Sequence, residues 1–215
     1  MKNRTLIWAT CICLAATAPL AHAQAKTKST AAAEKSKAAA PVPPAMDAKA
    51  MQEMMEKAAA LGPQHEQLKK MVGEWNCTVK TMMDPSQPPT ETKSTAVITS
   101  LMDGRYFQEQ ATGEMMGKPF QGMSITGYDN IMKKYVSTWI DNAGTGIMTS
   151  EGTADATGNV ITWTGWSSDP MTGKKVKYRM VTRILDDNKH VFEMFGAGPG
   201  GKEAKMMEIT YDRKM

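Results

Sequence analysis

Cysteine, histidine and long apolar runs are all scarce in this 215-residue chain. Three cysteines occur, and two of them, Cys11 and Cys13, fall in a leader-like N-terminus. With Cys77 alone left behind, no disulfide can form within one chain, and the fold must be held by its core. Histidine is equally sparse. His65 and His190 are the two beyond the leader, and neither has a second histidine or a cysteine at ligand spacing, which argues against a zinc site. Charge of one sign is also missing. Lys and Arg total 26 against 22 Asp and Glu, and the leader carries two of the basic residues away. Nucleic-acid binding wants a dense basic face, and none is present. The apolar run Leu6 to Ala18 is shorter than the roughly 20 residues that a membrane span requires.

What is present begins with an export pattern. Lys2 and Arg4 precede the apolar run, and Ala21-His22-Ala23 is a small-x-small cleavage site, so residues 1–23 read as a signal peptide cut after Ala23. The expected location is therefore periplasmic or secreted. Residues 24–44 are Ala, Lys, Ser and Pro with little to bury, the composition of a flexible tether. Residues 45–62 form a Met-rich amphipathic helix. Asp47 is its N-cap, Met51, Met54, Met55, Ala58 and Leu61 share one face, and Gly62-Pro63 stops it. A second short helix from Pro63 to about Val72 leads into Trp75.

From Gly73 onward the period is two. Trp75, Cys77 and Val79 alternate with Asn76, Thr78 and Lys80, which predicts a strand with one buried face and Cys77 as a buried, inert thiol. Nine further strands are expected near 91–101, 104–112, 119–128, 133–141, 145–154, 159–167, 174–186, 189–196 and 203–213. Turn signals such as Asp103-Gly104, Asn142-Ala143-Gly144 and Asp186-Asp187-Asn188 separate them. Evenly spaced hairpins without a long helix predict an all-β fold for residues 63–215: a single antiparallel up-and-down β-barrel of about 8–10 strands, with short N-terminal helices. Closure removes the exposed edges of such a meander.

The ends of this domain carry a resemblance. Gly73-x-Trp75 entering the first strand and Tyr211-Asp212-Arg213 ending the last resemble the closure of lipocalin and calycin barrels. That likeness implies Trp75 as a plug with the Arg213 guanidinium across its face. His65-x-x-Leu68, Gly127-Tyr128-Asp129, Trp139-x-Asp141 and Glu208-Ile209-Thr210-Tyr211-x-Arg213 complete a set that resembles the uncharacterised bacterial family called domain of unknown function 1579, from about Pro63 to the C-terminus. The resemblance implies a lipocalin-type barrel and no established activity.

No familiar catalytic motif survives scrutiny. Gly196 to Lys202 has phosphate-loop spacing, but Glu203 stands where a Ser or Thr belongs and a strand follows, so it reads as a hairpin turn. Gly122-Met123-Ser124-Ile125-Thr126 lacks the second glycine of a nucleophile elbow. Related barrels that hold haem use a histidine near the position of His190; a single histidine is more often a strand-edge residue, and no cofactor is expected.

Alternation sets Tyr135, Trp139 and Asp141 on one strand face, Phe107 with Glu109 on another, and Val191, Glu193 and Phe195 on a third. If these faces are internal, the cavity is aromatic with several carboxylates. That combination suits a small apolar or amphipathic ligand, and it equally suits an acid–base pair with raised carboxyl pKa values. A one-residue slip in any strand reverses its faces. The 20 methionines allow a third reading, Cu(I) handling through Met51, Met54 and Met55, set against methionine as adaptable core filling and a sticky helix face that could meet a protein partner. The expected function is a non-enzymatic binding barrel.

Overall fold

The computed structural model describes residues 47–82, 87–170 and 172–215, and the side chain of Pro199 is left aside. The expected signal peptide, the tether, Met46, Met83 of the Met82-Met83 pair and part of the proline-rich loop after the first strand lie outside the described residues.

Helix α1 spans Ala48–Ala59, and its first turn is closed by Asp47, whose carboxylate accepts the Ala50 N–H at 2.8 Å. None of its residues is buried, and Met51, Met54 and Met55 stay between 44 and 65 % exposed. The methionine face expected to dock therefore looks outward. Its C-terminal end is tied to the barrel by Asn130, whose side-chain amide donates to the carbonyls of Ala58 and Ala60. Helix α2, Pro63–Lys69, starts with proline at its first turn, where a missing N–H costs nothing. The Gly62 N–H donates to His65 Nδ1 at 3.1 Å, and His65 and Leu68 are fully packed inside.

Ten strands follow: β1 (Gly73–Thr81), β2 (Thr90–Leu101), β3 (Tyr106–Met115), β4 (Lys118–Asp129), β5 (Lys134–Asp141), β6 (Met148–Ala154), β7 (Val160–Asp169), β8 (Lys174–Asp186), β9 (Lys189–Ala197) and β10 (Glu203–Arg213). Each pairs antiparallel with its sequence neighbours, and β1 pairs with β10 to close the barrel. The all-β, up-and-down architecture is the expected one. β6 begins at Met148, because Asn142 to Ile147 is taken up by a loop that Asn142 pins through its bonds to Gln121 and Pro119. The Gly198–Gly201 segment is a hairpin turn with Gly200 and Gly201 at positive φ, feeding directly into β10.

The two ends of the barrel differ. At the end capped by α2, the inward side chains Trp75, Ala96, Phe107, Tyr135, Ile161, Trp163 and Tyr211 are almost wholly buried. This is the floor, where apolar contact and edge-to-face rings do the stabilising work. Further up the strands, inward residues such as Val79, Phe120, Trp139, Met148, Tyr178, Phe192 and Met194 are only half-buried. The lumen is filled below and accessible above.

Inward glycines make room for the largest rings. A Cβ on Gly152 would stand 2.7 Å from the Trp163 ring, and the Trp139 ring lies over Gly122 in the same manner. The cross-strand pairs Gly152 with Trp163 and Ser124 with Trp139 place each indole flat across its neighbouring strand.

Candidate functional site

The floor is built from both ends of the domain. Arg213 and Trp75 are register partners on β10 and β1, and the guanidinium sits 4.2 Å from the indole centroid. Arg213 also donates to three carbonyls, those of Asp187 (2.6 Å), Val72 (2.8 Å) and Lys70 (2.8 Å). Gly73 adopts φ +145°, and the Arg213 guanidinium fills the space a Cβ would occupy there. The glycine of Gly73-x-Trp75 is thus required by the arginine. The indole N–H donates to the Met71 carbonyl at 2.9 Å, which fixes the entry of the chain into β1.

His190 lies on this floor. It is 4 % exposed, stacked on Tyr211 at 4.1 Å and edge-on to Trp75 at 4.4 Å. Burial, with the nearby Arg213 charge, lowers its pKa to about 4, so the ring is neutral at neutral pH. Its Nδ1 is buried without a hydrogen-bond partner among the described residues. His190 stands at the start of β9, and the strand turns its side chain inward. Only 4 % of His190 is exposed, so a macrocycle could not reach its ring nitrogens without displacing the packed rings of the floor, and the residues do not fit haem ligation at this position.

Above the floor sits a polar group of a different kind. Glu109, on β3, points inward and accepts the Tyr211 O–H at 3.0 Å from across the interior. Between them run β1 and β2, whose inward Cys77 and Ala96 are small enough to leave the phenol its path. The remaining surface of Glu109 opens into the lumen, and desolvation there raises its carboxyl pKa, with the Tyr211 bond pulling slightly back. Tyr211 is pushed well above its ordinary value by burial and then by Glu109. The Cys77 thiol is pushed up to about 12, first by burial and then by Glu109, which makes it an inert thiol and not a nucleophile.

Phe107 and Glu109 face the interior, as do Tyr135, Trp139 and Asp141. Glu193 and Phe195 do not, which corrects the expected face of β9. The strand presents His190, Phe192 and Met194 inward, opposite Tyr211, Ile209 and Met207, and its other face outward. Glu193 is bonded there to Arg183 at 3.1 Å and paired with Lys205, and these partners lower its pKa, the Lys205 bond most. Phe195 carries the Arg179 guanidinium 3.8 Å over its ring. Both faces of β9 are apolar enough to be internal, so its alternation could not choose between them.

The convergence of Glu109, Asp141 and Glu193 that the acid–base alternative would require therefore fails. Asp141 is spent near the rim, with Oδ2 on the Trp139 N–H (2.7 Å) and Oδ1 on the Ala143 N–H (3.0 Å). Among the described residues no group of three His, Cys, Asp or Glu side chains could hold a metal ion. Tyr211 as the partner of Glu109 was missed, because a hydrogen bond across three strand spacings leaves no local pattern.

A cavity of about 400 Å³ lies at the floor end beside α2, lined by Gln64, Gln67, Asp155 and Gly158 together with the inward Tyr128 and Tyr135. A groove of about 490 Å³ on the outer face lies against Tyr106, Ile125, Val136, Thr149 and Trp166. The upper lumen is distinct from both, and its accessibility shows in the half-buried inward side chains.

The motif order at both ends of the barrel has a counterpart in a known family. Residues 60–213 match the family described as "Protein of unknown function (DUF1579)". The chain belongs to that family. Among solved structures it is similar to Rv2717c from M. tuberculosis, with a TM-score of 0.52 and 18% identity over 73% of this chain and 100% of that one. At this identity the likeness speaks for the barrel fold alone. A redesigned β-barrel matches at a TM-score of 0.38 and 11% identity, covering 69% of this chain and 96% of that one. A DUF3598 protein of unknown function from Nostoc punctiforme matches at 0.21 and 6%, covering 72% and 100%. No curated protein matches the chain.

Proposed function

We propose that this DUF1579 protein is an exported, non-enzymatic barrel that holds a small apolar or amphipathic molecule in the upper lumen. One observation carries the reading: inward rings and thioethers at the open end stay accessible, while those at the floor are packed shut. Phe120 and Trp139 stack at 6.5 Å near that opening, and Tyr178, Phe192, Met194 and Met148 continue the apolar wall. Ligand sites are mostly apolar surfaces with a few polar handles, and Glu109 with Tyr211 supplies the handle. The export part of the reading rests on the leader pattern of residues 1–23.

The acid–base alternative loses its support with the outward Glu193 and the fully bonded Asp141. The copper alternative rests on three exposed methionines of α1, none of them buried. A titration of the purified protein with fatty alcohols, lysolipids and polycyclic aromatics, followed by tryptophan fluorescence, tests the binding reading. Saturable binding that weakens at least several-fold in Trp139→Ala is expected. No affinity across the panel would sink it.

A further inference from the structure

Resting on the reading of the lumen as a ligand site, we propose that its occupant is an organic cation, an ammonium group on an apolar chain, with Glu109 as the counter-charge. The argument begins with how the interior charges are spent. Arg213 is saturated by three carbonyls and an indole at the floor. Asp141 uses both oxygens near the rim. The inward lysine positions, Lys118 and Lys174, stand at the hairpin ends of β4 and β8, and below them the described inward positions carry no lysine.

Glu109 is left with one bond. Tyr211 donates to Oε1, while Oε2 has no hydrogen-bond partner among the described residues and is not buried away from the lumen. A carboxylate that is removed from bulk water and lacks a cation is costly, so the empty site favours a proton there, and a ligand that brings a positive charge offsets the cost in the ionised state. Neighbouring inward positions on β2 and β4 are Ile98 and Ser124, which contribute no charge of their own. The inward residues above, Trp139, Tyr178 and Phe192, are half-buried aromatics, a wall whose chemistry suits an ammonium better than a carboxylate.

Three probes of equal chain length separate the possibilities: dodecyltrimethylammonium, dodecanol and dodecanoate, each below its micelle concentration, titrated into the full chain at pH 8. The ammonium should bind at least about tenfold more tightly than the other two. Glu109→Gln, which still offers Tyr211 an acceptor, should erase that preference while leaving dodecanol affinity within about threefold. Tyr211→Phe, which keeps the carboxylate, should retain the preference. Equal or better binding of dodecanol or dodecanoate overturns the cation proposal and leaves the apolar-ligand reading standing, as does a preference that survives Glu109→Gln. Binding of none of the three overturns the cation proposal, and the ligand-site reading falls with it only if the lysolipids and polycyclic aromatics also fail to bind.

Discussion

Arg213 concentrates four interactions at the point where the last strand meets the first. Its substitution by alanine removes the cation–π contact and strands three carbonyls, so a loss of about 2–3 kcal/mol is expected in denaturant unfolding. Lysine should not restore it, because a point charge cannot serve three carbonyls and a ring face at once. Gly73→Ala should cost at least a similar amount, because it pushes the guanidinium aside and also forces a side chain into φ +145°, and the backbone part of that cost should remain on top of Arg213→Ala. His190 makes a pH-dependent contribution with a definite sign. Its folded pKa lies near 4, below the ordinary value of 6.5, so the unfolded chain binds the extra proton between those values. Stability should therefore be lost as pH falls from about 6.5 to about 4, by on the order of 3 kcal/mol. Glu109 acts in the other direction, since a raised folded pKa costs stability as pH rises above the ordinary carboxyl range. Urea midpoints against pH for wild type and His190→Gln isolate the histidine part. Parallel curves would contradict it.

At the scale of elements, periodicity and turn residues carried most of the information. Gly, Pro, Asn and Asp clusters lie between strands almost everywhere they were expected, because each supplies a backbone conformation that the sheet cannot tolerate. Faces were legible where one side of a strand was polar, as in β1. They were illegible in β9, where Val191 and Phe195 on one face match Phe192 and Met194 on the other. α1 shows the converse. A methionine stripe at helical spacing looks like a docking face, yet no residue of the helix is buried. Deleting residues 24–59 should therefore leave the barrel folded, with its thermal midpoint changed by no more than about 3 °C. A larger drop would mean that α1 is part of the core. Within the sheet, Gly152→Ala should destabilise by about 1–3 kcal/mol, because Trp163 has nowhere to retreat in the packed floor.

For the whole molecule, a closed antiparallel barrel of about 8–10 strands followed from regular hairpins with no long helix among them, and the family resemblance pointed to the same fold. The candidate site was less legible. The Trp75–Arg213 closure showed through the motifs at the two ends, and Phe107, Glu109, Tyr135, Trp139 and Asp141 through alternation. The Glu109–Tyr211 bond and the inward His190 depend on which strands meet across a closed sheet, and no local spacing encodes that. What emerges is a barrel with a packed floor, an accessible mouth, and one carboxyl with a free oxygen between them. Native mass spectrometry of the protein purified from its own host, before and after organic extraction, tests the claim that this lumen holds a ligand. The account predicts one small amphipathic molecule per chain, removed by extraction. A bare chain mass throughout, together with no affinity in the fluorescence titrations, would contradict it.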